Sequence, residues 1–94
     1  MVKVIFEFDI PTEKQEAYLK ATSEKIKPIW ESTGCKSYDI WQVADSETRF
    51  VKEMLFEDKS EMKETMDLKE TDSVKEIFRS FAENVSRRIY VQKI

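Results

Sequence analysis

The chain has 94 residues, enough for one domain, and a domain of this size buries only roughly 60–65% of the surface its unfolded chain exposes. Its net charge is −3 and its only adjacent basic pair is Arg87-Arg88, which argues against binding to a nucleic-acid backbone. There is no histidine, one cysteine and one glycine. These counts exclude an imidazole general base, Ser-His and Cys-His nucleophile pairs, a zinc cluster, an internal disulfide and a glycine-rich phosphate loop. Glu7 and Asp9 interrupt the apolar N-terminal stretch, so it does not read as a signal peptide. No apolar run approaches the roughly 18 residues of a membrane span, and a cytoplasmic protein without membrane attachment is expected.

In chain order, Val2, Val4, Phe6, Phe8 and Ile10 alternate with Lys3, Ile5, Glu7 and Asp9, the period of a strand with one strongly apolar face. Pro11-Thr12 ends it. Thr12 and Gln15 have capping-box spacing and predict a helix from about Glu13 to Thr33, disturbed near Lys25 by Pro28. Gly34 follows as a helix C-cap, since glycine takes positive φ without steric cost.

A strand over about Cys35–Val43, a turn at Ala44-Asp45-Ser46-Glu47 and a return strand over Arg49–Glu57 form an antiparallel hairpin. Asp58 to Glu61 offer cap residues for a short helix carrying Met62 and Met66. Thr71-Asp72-Ser73 interrupts it, and Ser73 with Glu76 reads as a second capping box. Val74, Ile77, Phe78, Phe81, Ala82 and Val85 then keep helical spacing. A strand over Arg88–Ile94 closes the chain.

The order βαββαβ predicts an α+β, ferredoxin-like fold. Its four-stranded antiparallel sheet carries two helices on one face, with strands 1 and 3 central. On that reading the even positions of strand 1 face the helices, together with Tyr38 and Ile40 of strand 2 and Phe50, Met54 and Phe56 of strand 3. The other face then shows Ile5, Trp41, Val43, Val51, Leu55, Ile89 and Val91, more apolar surface than a monomer usually exposes. Hiding about 800 Å² of it is worth on the order of 20 kcal/mol gross, before the costs of association. A two-fold homodimer packed sheet to sheet follows, with Ile5, Trp41, Val51 and Leu55 at its centre. The alternative is a monomer whose strand register is shifted by one residue, which would exchange the two faces.

The segments Gly34-Cys35-Lys36-Ser37-Tyr38-Asp39-Ile40, Arg49-Phe50-Val51 and Phe56-Glu57-Asp58 leading into a helix resemble the antibiotic biosynthesis monooxygenase-like group of dimeric α/β barrels. The resemblance implies a homodimer with a cavity between sheet and helices. Some members of the group oxidise aromatic polyketide-like substrates without metal or flavin, and some relatives degrade heme. Gly34, Cys35 and Tyr38 match the group's loop and second strand. Phe56 stands where many members have Trp, Met54 where Glu is common, Thr65 near a frequent His and Trp41 where the strand often has His. With no histidine, no strand-1 Asn and Phe56 for the Trp, heme degradation does not fit.

Tyr38 is the candidate catalytic donor, giving a proton or hydrogen bond to a substrate carbonyl. Its plain alternative is a half-buried aromatic with an ordinary hydroxyl partner. Phe6, Trp30, Phe56, Met66 and Phe81 are the candidate substrate pocket, with Met62 near it, though aromatic and methionine residues at such spacing also make ordinary core. Glu7 and Glu53 share the outer face as a candidate carboxylate pair; Arg49 is available to neutralise it. Cys35, at a helix C-terminus, reads as a packed thiol rather than a nucleophile.

No cofactor or metal is expected. RNA-recognition domains share the element order, but Arg49-Phe50-Val51-Lys52-Glu53 lacks their glycine and the chain is acidic. Two functions remain. One is an enzyme of the cofactor-independent monooxygenase type, acting on an apolar aromatic small molecule. The other is a non-catalytic dimeric barrel that binds a ligand or a partner.

Overall fold

The computed structural model describes residues Met1–Ile94. Strands β1 (Val2–Asp9), β2 (Ser37–Gln42), β3 (Arg49–Phe56) and β4 (Glu83–Val91) form one antiparallel sheet in the order β2-β3-β1-β4. The fold is ferredoxin-like, and the two central strands are the expected ones. Three helical bodies lie on one face rather than two. The first crossover runs from α1 (Gln15–Ala21) into α2 (Lys27–Thr33), while the second divides into α3 (Lys59–Met66) and α4 (Asp72–Phe81).

Between α1 and α2 the chain makes a π turn over Thr22–Ile26, in which the Lys27 N–H donates to the Thr22 carbonyl. Proline has no N–H for a normal helical bond, and its ring crowds the carbonyl of the residue four positions earlier. The wide turn therefore sits where Pro28 predicts a disturbance, and the helix bends without breaking. Gly34 ends α2 with φ +139°, as a C-cap whose N–H donates to the Trp30 carbonyl. A β-carbon there would also collide with the Thr65 hydroxyl, which donates to the Thr33 carbonyl at 3.3 Å. The glycine therefore serves backbone conformation and helix packing together.

Of the three capping signals, one forms. Asp58 accepts from the Glu61 N–H at 2.8 Å and starts α3. Gln15 does not close a box on Thr12; its amide donates to the carbonyls of Ile10 and Glu47 and ties the helix start to the β2–β3 loop. Ser73 lies inside α4, because a 3₁₀ turn at Lys69–Thr71 already leads into that helix.

The end of α4 also differs from expectation. Val85 belongs to β4, not to the helix, and β4 starts five residues before Arg88. Ala82 is extended, and Asn84 takes a left-handed φ of +52°. The Asn84 amide donates to Asp9 Oδ2 at 2.9 Å, which pins the first residues of β4 to the end of β1.

The register settles the two faces. Val2, Val4, Phe6 and Phe8 share the helix side with Phe50, Lys52, Met54 and Phe56 and with Tyr38 and Ile40. On the outer side Ile5, Val51, Leu55 and Trp41 lie together, with Trp41 59% exposed. Ile89 and Val91 are not on that side. They pair with Val4 and Val2 and so point to the helix side, while Tyr90 takes the outer position beside Lys3. β4 is exposed along its whole length, because the helix layer stops short of it.

The core is an aromatic stack. Phe8 packs edge-on to Phe78 (4.9 Å between centroids) and to Tyr18 (5.9 Å), and lies over Phe50.

Candidate functional site

Where the helices fail to reach β4, a cavity of about 570 Å³ remains between the sheet and the helix layer. Its floor is Phe6 of β1 with Lys52 and Met54 of β3. Trp30 of α2, Met66 at the end of α3, and Val74 and Phe78 of α4 form the walls. The mouth carries Asp67, Lys75, Arg79, Arg87 and the exposed Val85. That size and mixture, mostly apolar with a few polar groups, is typical of small-molecule sites.

Among the residues singled out from the sequence, Phe6, Trp30 and Met66 line this cavity. Phe56 is fully buried in the core beyond it, and Phe81 packs against Tyr18 with 5.6 Å between ring centroids. Tyr38 is not part of the cavity lining. It is fully buried, and its hydroxyl lies beside that of Tyr18 without either closing a hydrogen bond of normal geometry. Burial pushes both phenols above their ordinary pKa, so each stays protonated.

The two glutamates of the outer face are each neutralised. Glu7 accepts from Arg49 Nε at 3.1 Å, and Glu53 pairs with Lys3 at 3.2 Å. Asp9 accepts from Asn84, Thr48 and Arg49, and these bonds hold its carboxyl below the usual range. Cys35 is buried, and its thiol donates to the Ser37 carbonyl at 3.0 Å. Burial raises its pKa to about 11, so it is a packed thiol; desolvation, not the helix dipole, is the main reason.

The polar group that matters in the cavity is Lys52. Strand alternation puts it inside between Phe50 and Met54, yet reading only the apolar members of that face passes over it. Its side chain is 3% exposed, and none of the ion pairs in the molecule includes it. Its Nζ lies 3.6 Å from the centroid of Phe78 and 4.2 Å from that of Phe6, with the Tyr38 ring at 5.7 Å. The ring faces favour an ammonium, but only by about 2 kcal/mol where desolvated. Loss of water outweighs this and brings the Lys52 pKa down to about 7. Near neutral pH the cavity floor therefore holds an amine that is easily converted between its charged and uncharged forms.

Residues 1–70 match the family model for antibiotic biosynthesis monooxygenases, which is most of the chain, and the protein belongs to that family. Solved structures share its fold across nearly their whole length at low identity. HapK from Hahella chejuensis superposes with a TM-score of 0.84 at 12% identity, covering 99% of this chain and 93% of its own. A conserved protein from Methanosarcina mazei gives 0.82 at 13%, covering 98% and 92%. SnoaB, a cofactor-independent oxygenase from Streptomyces nogalater, gives 0.79 at 9%, covering 99% and 93%. No curated protein matches the chain in sequence.

The buried amine has a thermodynamic signature. Below about pH 7 folded and unfolded chains both carry the Lys52 proton, and the folded state bears the full desolvation penalty. From there towards the ordinary 10.5 the folded chain releases a proton that the unfolded chain keeps, so Lys52 makes stability rise with pH. Lys52→Met removes this dependence. Chemical denaturation from pH 7 to 9 should show the variant's stability advantage shrinking by up to about 1.4 kcal/mol per pH unit. A constant difference across that window would mean that Lys52 titrates normally.

Proposed function

We propose that this protein is a homodimer that takes an apolar, aromatic small molecule into the cavity between sheet and helices, and that it acts there as a cofactor-independent monooxygenase. One observation carries this reading: a largely apolar cavity of about 570 Å³ with a single lone amine at its floor. Family membership supports the oxygenase chemistry. The protein's contribution is shape, exclusion of water and a protonatable group, while the substrate's own carbanion reacts with dioxygen. Tyr38, enclosed beside Tyr18, serves this site through its ring, which backs the Lys52 amine. The absence of histidine favours a second reading, a barrel that binds such a molecule without turning it over. A cytoplasmic setting suits both.

Oxygen uptake by anthrone, a CH-acidic tricyclic ketone, separates the two. The enzyme reading expects faster uptake with the protein than without it, and loss of that gain in Met66→Trp, which fills the half-buried wall of the cavity. Binding of anthrone without faster uptake would leave the non-catalytic barrel. Absence of binding would remove both.

The homodimer rests on the outer face, where Ile5, Val51, Leu55 and Trp41 remain uncovered or half covered, with Tyr90 added to them by the register. A hollow of about 630 Å³ between Ile5, Leu55 and Tyr90 offers a partner a place to pack. Sedimentation should give a dimer, and Trp41→Glu should weaken it about 30-fold or more, the size expected for a buried tryptophan anchor. A wild-type monomer at micromolar concentration would contradict the dimer.

A further inference from the structure

We infer that the Lys52 amine is the proton acceptor for an acidic hydroxyl, phenolic or enolic, on the aromatic ligand, which is then held in the cavity as its anion. The inference deepens the cavity reading above and rests on it. Two observations and a proton balance carry it.

Lys52 is an amine with no anion of its own. It is 3% exposed, aimed between the rings of Phe6 and Phe78, and outside every ion pair in the molecule. A structural buried lysine is normally paired, because an isolated buried charge is costly. A ligand oxyanion would supply the missing partner.

The surroundings are also biased towards an anion. Of the other charged groups lining the cavity, Lys75 and Arg79 of α4 and Arg87 of β4 are cations, and Asp67 alone is acidic. Lys75 is already engaged by the Met66 carbonyl and Asp72, which leaves the two arginines at the mouth. This is a positive cavity in a chain whose net charge is −3. The nearby titratable groups on the helix side of the sheet, Tyr38 and Cys35, both stay protonated near neutral pH and do not compete for the Lys52 proton.

The proton balance also closes within the complex. The ligand O–H bond breaks, its electron pair remains on oxygen, and an N–H bond forms on Lys52. The product is an ammonium–oxyanion pair between aromatic walls, with no net change of charge and no third reactant. Burial leaves part of the amine unprotonated near neutral pH and so able to accept, and the oxyanion formed beside it then favours the charged ammonium. A charged hydrogen bond in a dry site is among the stronger polar contacts available.

The probes are 3-nitrophenol, whose acid is nearly colourless and whose anion is yellow, and 3-nitroanisole, the methyl ether with no proton to give. In buffer about one pH unit below this phenol's own titration point, where most of the Lys52 amine is uncharged, wild-type protein should bind 3-nitrophenol with growth of the yellow band. It should also bind the phenol at least about tenfold more tightly than the ether. In Lys52→Met, shown to be folded by circular dichroism, the yellow band should vanish and the affinity ratio should fall to about one.

If wild type binds phenol and ether alike, or binds the phenol without colour, the assignment of Lys52 is overturned while the cavity reading stands. Colour that persists in Lys52→Met would assign the oxyanion to the arginines of the mouth and overturn it equally. If neither probe binds wild type, the cavity reading fails and this inference fails with it.

Discussion

A four-stranded sheet has two faces and four strand widths to cover, and the helices of this short chain can cover only part of one face. They lie over β2, β3 and β1 and leave β4 exposed from end to end. Each feature described above follows from that shortfall. On the helix side the uncovered seam is the cavity. On the outer side apolar side chains are left uncovered, and the proposed dimer rests on them.

Within the cavity the same shortage of cover sets the state of Lys52. The amine is deep enough to lose its water, but no acidic side chain approaches to replace it. Two phenyl rings offer a partial substitute that is weaker than hydration. A packed apolar side chain at this position would be more stable. Polar groups held at such expense are characteristic of functional sites, where the ligand and not the fold completes the interaction.

Much of the fold was legible because local rules agreed with one another. Gly34 marks a helix end, and the central strands alternate cleanly because both are buried on the helix side. What was not legible depended on partners distant in sequence. Gln15 has the spacing of a capping residue, but Glu47, brought close by the hairpin, takes its amide. Val85 has helical spacing with Phe78 and Phe81, yet a bond between Asn84 and Asp9 turns the chain into a strand before it.

Ile89 and Val91 lie on the face opposite to the one their spacing predicts, because β4 is an edge strand with apolar residues on both sides. Nothing local fixes its register, and a one-residue slip exchanges the faces. Lys52 was legible in principle, since the alternation that buries Phe50 and Met54 buries it too. The sequence does not single it out, because a lysine in an amphipathic strand is ordinarily solvated, and only the missing ion pair, visible in three dimensions, distinguishes it.

The central claim is that Lys52 is an unpaired amine at the floor of the cavity, titrating near neutral pH. An NMR titration of the Lys52 side chain in the folded protein, assigned by comparison with Lys52→Met, tests it most directly. The account predicts a transition near pH 7. A transition at the ordinary lysine value, about 10.4, would show a solvated or paired ammonium and contradict it.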